Sequence, residues 1–208
     1  MRIETKILDA ADRRALETAG SALRRGELVA LPTDTVYGLA ANVWDAGAVS
    51  RLFAVKGRDP LKSVAVLLAG WDRLLEVADA PPEAVRRLAT RFWPGPLTLV
   101  VNRLSTLPSE LSPTDSIGLR VPNHPFTLKL LGEVGPLAVT SANRSGFPDS
   151  RTAAEVFGAL SGRIELVIDG GPAPGGVPST VVDCTVDPPA LLRTGPISMQ
   201  EIEAALQL

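Results

Sequence analysis

A single cysteine, Cys184, and a single histidine, His124, limit the chemistry open to this 208-residue chain before any motif is read. One cysteine cannot close an internal disulfide, which fits a reducing compartment. Together the two residues cannot build a Cys/His zinc constellation. The sequence has no HExxH, CxxC or G-x-S-x-G pattern, so metalloprotease, redox and hydrolase-elbow chemistry are unsupported. It also lacks G-x-G-x-x-G and G-x-x-x-x-G-K-[ST], so any bound phosphate must be held by side-chain cations rather than by a glycine cradle. His124 lies between prolines and reads as an exposed turn residue. The apolar-rich pieces at 63–71 and 97–101 fall well short of the roughly 18 residues that span a bilayer. The charged first residues lack the apolar stretch of a secretory signal, and a cytoplasmic location is expected. An excess of positive charge is missing too: 21 Lys and Arg face 23 Asp and Glu, for a net charge of −2. Any anion site must therefore be local.

What remains is an ordinary globular balance, 45% hydrophobic and 21% charged. Glycine and proline, 18 of each, are more frequent than usual and point to many shaped loops. Short apolar runs at 28–31, 64–68, 97–101, 117–121, 137–140, 166–168 and 180–182 read as strands. Between them, residues 9–25 carry Leu16, Ala19 and Leu23 on one helical face, and residues 46–55 carry Val49, Leu52 and Phe53. Pro81 and Pro82 open a third helix, which Pro94 stops, and 125–131 and 152–160 read as shorter ones. Ser198 and Glu201 have capping-box spacing ahead of a last helix. No repeat or polar linker divides the chain. One α/β or α+β domain over 1–208 with a substantial sheet is the simplest reading, and the fold class expected is α+β (α/β-like), a large mixed sheet flanked by helices.

Several segments carry chemistry with two readings each. Lys56-Gly-Arg58-Asp-Pro-Leu-Lys62 is either a polyphosphate clamp or a solvated basic turn at a helix C-terminus. Strand alternation puts Ser116, Gly118 and Arg120 on one face, where Arg120 either grips a carboxylate or faces water. Thr140-Ser-Ala-Asn-Arg-Ser-Gly146 gathers hydroxyls and an amide at the end of a strand, as a ligand site or a plain turn. The loop 170–178 is dense in glycine and proline, which lets backbone approach a ligand, and Ser179 stands at its exit. Arg193 follows a short apolar run and by itself reads equally well as a surface charge.

The order of these pieces is more specific than any one of them. Pro32-Thr-Asp-Thr-Val-Tyr-Gly38, Lys56-Gly-Arg58, Phe92-Trp-Pro-Gly-Pro-Leu-Thr98, Gly118-Leu-Arg-Val-Pro-Asn-His-Pro125, Thr140 to Gly146, Ser179-Thr-Val-Val-Asp183 and Leu192-Arg-Thr-Gly195 together resemble the YrdC family, over about residues 10–200. The resemblance implies a twisted, largely open sheet with helices on its back and a concave, locally positive front. It implies synthesis of threonylcarbamoyl-AMP and pyrophosphate from L-threonine, bicarbonate or carbon dioxide, and ATP, with Mg²⁺ accompanying the nucleotide. A partner transferase would then modify the adenosine beside the tRNA anticodon. Carried over by motif, Thr35, Arg120 and Ser179 would contact threonine, the arginine through the carboxylate. Lys56, Arg58, Lys62, Ser116, Ser141, Asn143 and Arg193 would surround ATP, with Lys56 and Arg58 catalytic through charge, and no metal-ligating residue is assigned. Asp59, where many relatives have proline, would bring a carboxylate among the phosphate ligands, and Leu67 replaces a position often polar in longer relatives. Lacking those relatives' C-terminal extension, the pocket is expected to be more open. Two alternatives are a module binding tRNA or double-stranded RNA, with Arg86, Arg87 and Arg91 adding charge, and a paralogue with other carbamoyl-nucleotide chemistry.

Overall fold

The computed structural model describes residues 3–207; Met1, Arg2 and Leu208, within the expected domain of 1–208, lie outside the described residues. Ten strands form one mixed sheet in the order β1-β8-β2-β3-β7-β4-β6-β5-β9-β10. They are β1 Lys6–Asp9, β2 Val29–Leu31, β3 Gly38–Asn42, β4 Ala65–Leu67, β5 Leu97–Asn102, β6 Ser116–Arg120, β7 Leu137–Ser141, β8 Leu166–Asp169, β9 Thr180–Asp183 and β10 Ala190–Arg193. The helices are α1 Ala15–Arg24, α2 Ala46–Lys56, α3 Glu83–Phe92, α4 Pro125–Val134, α5 Ala153–Leu160 and α6 Met199–Gln207. None of the described helices is long and apolar enough to cross a membrane.

Side-chain alternation divides the sheet's two faces between two apolar clusters. Leu28, Ala30, Leu39, Val66, Leu99 and Val167 point to the back, where they pack with Leu52 of α2, Leu88 of α3, Val156 of α5 and Ile202 of α6. Val29, Leu31, Ala40, Leu67, Val139 and Ile168 point forward and pack with Ala19 and Leu23 of α1 and Leu130 and Leu131 of α4. The helices of the front cluster are only these two, so the front over β4, β6, β5 and β9 is left for loops and a cavity.

Local chemistry fixes the helix ends. Asp45 accepts from Ala48 N at 3.0 Å to start α2, a cap worth about 1 kcal/mol. Gly57, at φ 61°, ends that helix in the left-handed region, with Arg58 N bonded back to Phe53 O at 2.9 Å. At α6 the expected capping box forms: Glu201 Oε2 accepts from Ser198 N at 2.9 Å, and Ser198 Oγ accepts from Glu201 N at 3.3 Å.

The seven expected strands are present with shifted ends, and β1, β3 and β10 are additional. The helix expected from residue 9 begins only at Ala15. Asp9 Oδ1 accepts from Ala11 N and Asp12 Oδ1 from Arg14 N, so the two carboxylates fold 9–14 into turns that compete with helix. His124 is half-buried at the start of α4 rather than exposed.

Candidate functional site

A cavity of about 440 Å³ opens on the uncovered front of the sheet, a volume suited to a small-molecule ligand. Alternation supplies its floor: Ala65 and Leu67 of β4, Thr98 and Val100 of β5, Ser116, Gly118 and Arg120 of β6, Val139 and Ser141 of β7, and Val181 of β9. At Gly118 a Cβ would come within 2.8 Å of Thr98 Cγ2, so a larger residue there would have to displace the Thr98 side chain. Thr33, Thr35, Arg58, Asp149, Ser179 and Arg193 line the walls.

Arg120, only 7% exposed, is anchored on three sides. Its Nε donates to Gly95 O at 3.0 Å, Nη1 to Thr35 Oγ1 at 2.9 Å and Nη2 to Asp34 Oδ1 at 2.5 Å. Burial lowers the guanidinium pKa and Asp34 opposes that shift, leaving the residue a cation. Arg120 thus lies on the cavity side, as alternation required, yet that side is buried rather than wet. Asp34 also accepts from Asn123 N at 3.0 Å, which ties the segment after β6 to the same carboxylate.

The loop 170–178 is sewn onto this segment by its backbone. Gly175 N donates to Asp34 O at 3.1 Å and Gly176 N to Thr35 O at 2.7 Å. A Cβ on Gly175 would lie 2.6 Å from Asp34 O, and Gly176 has φ 62°, so both positions demand glycine. Ser179, at the loop exit, shares a hydrogen bond with Thr98 at 2.8 Å and accepts from Arg193 Nη2 at 3.1 Å.

The three positive charges expected as one clamp separate. Arg58 lines the cavity and donates to Ser63 O at 3.0 Å, while its Nε has no protein partner. Lys62 is exposed and outside the cavity lining. Lys56 is 3% exposed and sits behind the lining, where Nζ donates to Ser141 O, to Asn143 O at 2.6 Å and to Asn143 Oδ1 at 2.8 Å. An ammonium has three N–H groups, so all are committed to the turn that leaves β7. Burial, and then repulsion by Arg58, lowers Lys56 to about 8. Asn143 is buried in the same network, its Oδ1 accepting a hydrogen bond from Ser141 Oγ at 2.6 Å. Asp59 does not enter the lining, because its carboxylate accepts from Leu61 N at 2.9 Å within its own turn.

Thr35, Arg58, Ser116, Arg120, Ser141, Ser179 and Arg193 therefore share one cavity, with Lys56 and Asn143 directly behind it and Lys62 apart. Sequence reasoning passed over Thr33, Asp34, Thr98 and Asp149; Thr33 and Asp34 stand in the Pro32 to Gly38 motif and Thr98 closes the Phe92 to Thr98 motif, so these three were within reach. Asp149 is the half-buried lining carboxylate whose charge acts on both Lys56 and Arg193. Arg86 and Arg87 share one carboxylate, Glu83, which offsets one of their two charges, and Arg87 also donates to Leu206 O at 2.7 Å. Cys184 is buried, and burial pushes its thiol up to about 12, which leaves it no role as a nucleophile.

A family model, Sua5_yciO_yrdC, described as telomere recombination, matches residues 21–195. The chain is 42% identical over 193 residues to a threonylcarbamoyl-AMP synthase of Pyrococcus abyssi, covering 92% of this chain and 57% of that protein. It is 38% identical over 207 residues to a putative threonylcarbamoyl-AMP synthase of Mycobacterium tuberculosis H37Rv, covering 97% and 95%. A crystal structure of P. abyssi Sua5 complexed with L-threonine superposes with a TM-score of 0.93 at 40% identity, covering 96% of this chain and 60% of that one. The chain thus spans a little over half of the P. abyssi protein.

Proposed function

We propose, since the chain belongs to the Sua5/YciO/YrdC family, that it acts as a threonylcarbamoyl-AMP synthase, a nucleotidyltransferase acting on L-threonine, bicarbonate or carbon dioxide, and ATP. The observation that carries this reading is a single cavity lined by several cations: buried Arg120 beside Thr35, and Arg58 and Arg193 on its walls. Two anions, an amino-acid carboxylate and a polyphosphate, are met in one space.

On this reading the fork of Arg120 takes the carboxylate of threonine, with Thr35 and Ser179 beside it. Arg58 and Arg193 take phosphate oxygens, with Ser116 and Ser141 nearby and Lys62 reaching in from outside. Lys56 lends its charge from behind and, with Asn143, holds the turn carrying Ser141. Threonine's nitrogen bonds to the carbon of carbon dioxide and loses a proton, giving a carbamate. A carbamate oxygen then attacks the α-phosphorus, the bond from that phosphorus to the bridging oxygen breaks, and pyrophosphate leaves with its electron pair. The protein's part is positioning and neutralisation of charge.

Among the described residues no group of three or more His, Cys, Asp or Glu side chains is arranged to hold a metal. Asp149 and Asp183 are the carboxylates of the lining, and one or two carboxylates plus phosphate oxygens suit Mg²⁺. The donor set thus fits an ion that arrives with the nucleotide and neutralises phosphate charge, with Asp149 the residue that would hold it. The product would pass to a tRNA-modifying transferase in the cytoplasm.

The test is pyrophosphate release from Mg-ATP with and without L-threonine and bicarbonate. Release that requires both co-substrates and is lost in Arg120→Ala supports the synthase. Release indifferent to threonine, or none beside tight RNA binding, overturns it.

A further inference from the structure

The hydroxyls of Thr33 and Thr35 have only one consistent assignment of their protons. Thr33 Oγ1 lies 2.6 Å from Val36 O, and a carbonyl only accepts, so the Thr33 proton is directed there. The contact of 3.0 Å between Thr33 Oγ1 and Thr35 Oγ1 must then use the proton of Thr35. Thr33 Oγ1 also accepts from Thr35 N at 3.1 Å, which fills both of its lone pairs. Thr35 Oγ1 accepts from Arg120 Nη1 at 2.9 Å. With its proton directed to Thr33 and one lone pair on Arg120, Thr35 offers the cavity one lone pair and no donor.

Burial makes this arrangement durable. Thr33 is 3% and Thr35 1% exposed, so water does not compete freely for either hydroxyl, and reversing the chain would take the Thr33 proton away from Val36 O and leave two oxygens 2.6 Å apart facing each other by lone pairs. A carboxylate oxygen brought to Thr35 meets a lone pair and is repelled, whereas an N–H meets an acceptor. The carboxylate is left to Arg120, 2.9 Å away.

We infer that Thr33 is a positioning residue that fixes Thr35 as a hydrogen-bond acceptor, so that Thr35 receives an N–H of the amino-acid substrate's amino group and turns its carboxylate toward Arg120. The inference rests on the proposed threonine site and adds the polarity of that site. It orients the nitrogen that forms the carbamate.

Calorimetric titration with L-threonine and with (R)-3-hydroxybutanoate, its counterpart without the amine, reads this polarity directly. The wild type favours threonine by about tenfold or more, the usual penalty for leaving a buried acceptor unmet. Thr33→Ser keeps the preference because it keeps the hydroxyl. Thr33→Val loses most of it, because the Thr35 proton is released and can turn to the carboxylate, while affinity for ATP stays within about twofold. A folded Thr33→Val with the wild-type preference overturns the inference. Should Thr33→Val not fold, Thr35→Val decides: a retained preference there overturns the inference equally. A wild type that binds neither compound overturns the threonine site itself, which separates that failure from this one.

Discussion

The ammonium of Lys56 and the side-chain carbonyl of Asn143, 87 residues apart in sequence, are 2.8 Å apart, and with Asn143 O and Ser141 O this contact uses every N–H the lysine has. A residue that sequence alone assigns to phosphate is thus first a strut of the protein.

Lys56→Met should therefore affect stability as well as binding. It leaves buried acceptors unpaired, and the expected loss is about 1–3 kcal/mol in urea unfolding. The wild type should also bind a non-hydrolysable ATP analogue several-fold more weakly at pH 9 than at pH 7. As pH rises through about 8, Lys56 loses its proton, the charge behind the phosphate end disappears, and one of its three acceptors faces a lone pair. In Lys56→Met, whatever change remains between those pH values should be much smaller. A wild type with unchanged affinity at pH 9 would contradict this account.

Asp34 is the counter-ion of a nearly buried arginine and should be costly to remove. Asp34→Ala strands Arg120 and frees Asn123 N, with an expected loss of about 3 kcal/mol or more measured by chemical denaturation. Asp34→Asn, which can still accept, should lose less stability. A wild-type denaturation midpoint in Asp34→Ala would refute the pairing.

Arg58 and Arg193 lie at the cavity wall and make few protein contacts. Replacing either by alanine should raise KM for ATP about tenfold or more while leaving the melting temperature nearly unchanged. Arg193→Ala also frees Ser179 and should raise KM for threonine, so the decisive variant is Arg58→Ala, in which equal increases in KM for threonine and ATP would show that the two substrates do not have distinct places in the cavity.

Glycines give a contrast that separates loop geometry from helix propensity. Gly175→Ala places a methyl against Asp34 O and should weaken both stability and threonine affinity. Gly132→Ala, inside α4 with nothing within 4 Å of the added carbon, should stabilise by about 0.5–1 kcal/mol with unchanged turnover. Thermal melts and initial rates on both variants check the pair.

Much of the fold was legible because apolar runs with period two and stripes with period 3.6 mark buried faces wherever they occur. β3 was not, since Gly38-Leu-Ala-Ala-Asn42 has no β-branched residue; its place between β2 and β7, with four of five residues buried, is decided by its neighbours. β1 is a mostly exposed edge strand of four residues, too short for a period to show. At the site, alternation placed Arg120 on the correct face, but its partners Asp34 and Gly95 are 86 and 25 residues away and no local pattern announces them. The separate places of the three cations of the turn at 56–62 were hidden for the same reason: charge is visible in sequence, whereas the acceptors that claim Lys56 are supplied by β7 and the turn after it.

The floor of the cavity also has a history in time. β5 pairs with β6 nearby in sequence but with β9 some 80 residues later, and the Ser179 wall arrives with β9. During synthesis β5 waits as an open sheet edge until the loop 170–178 and the residues beyond it have emerged, a late long-range closure of the kind that slows folding. A small ligand bound across that floor then bridges early and late parts of the chain, and its arrival distinguishes finished molecules from those still missing their last strands.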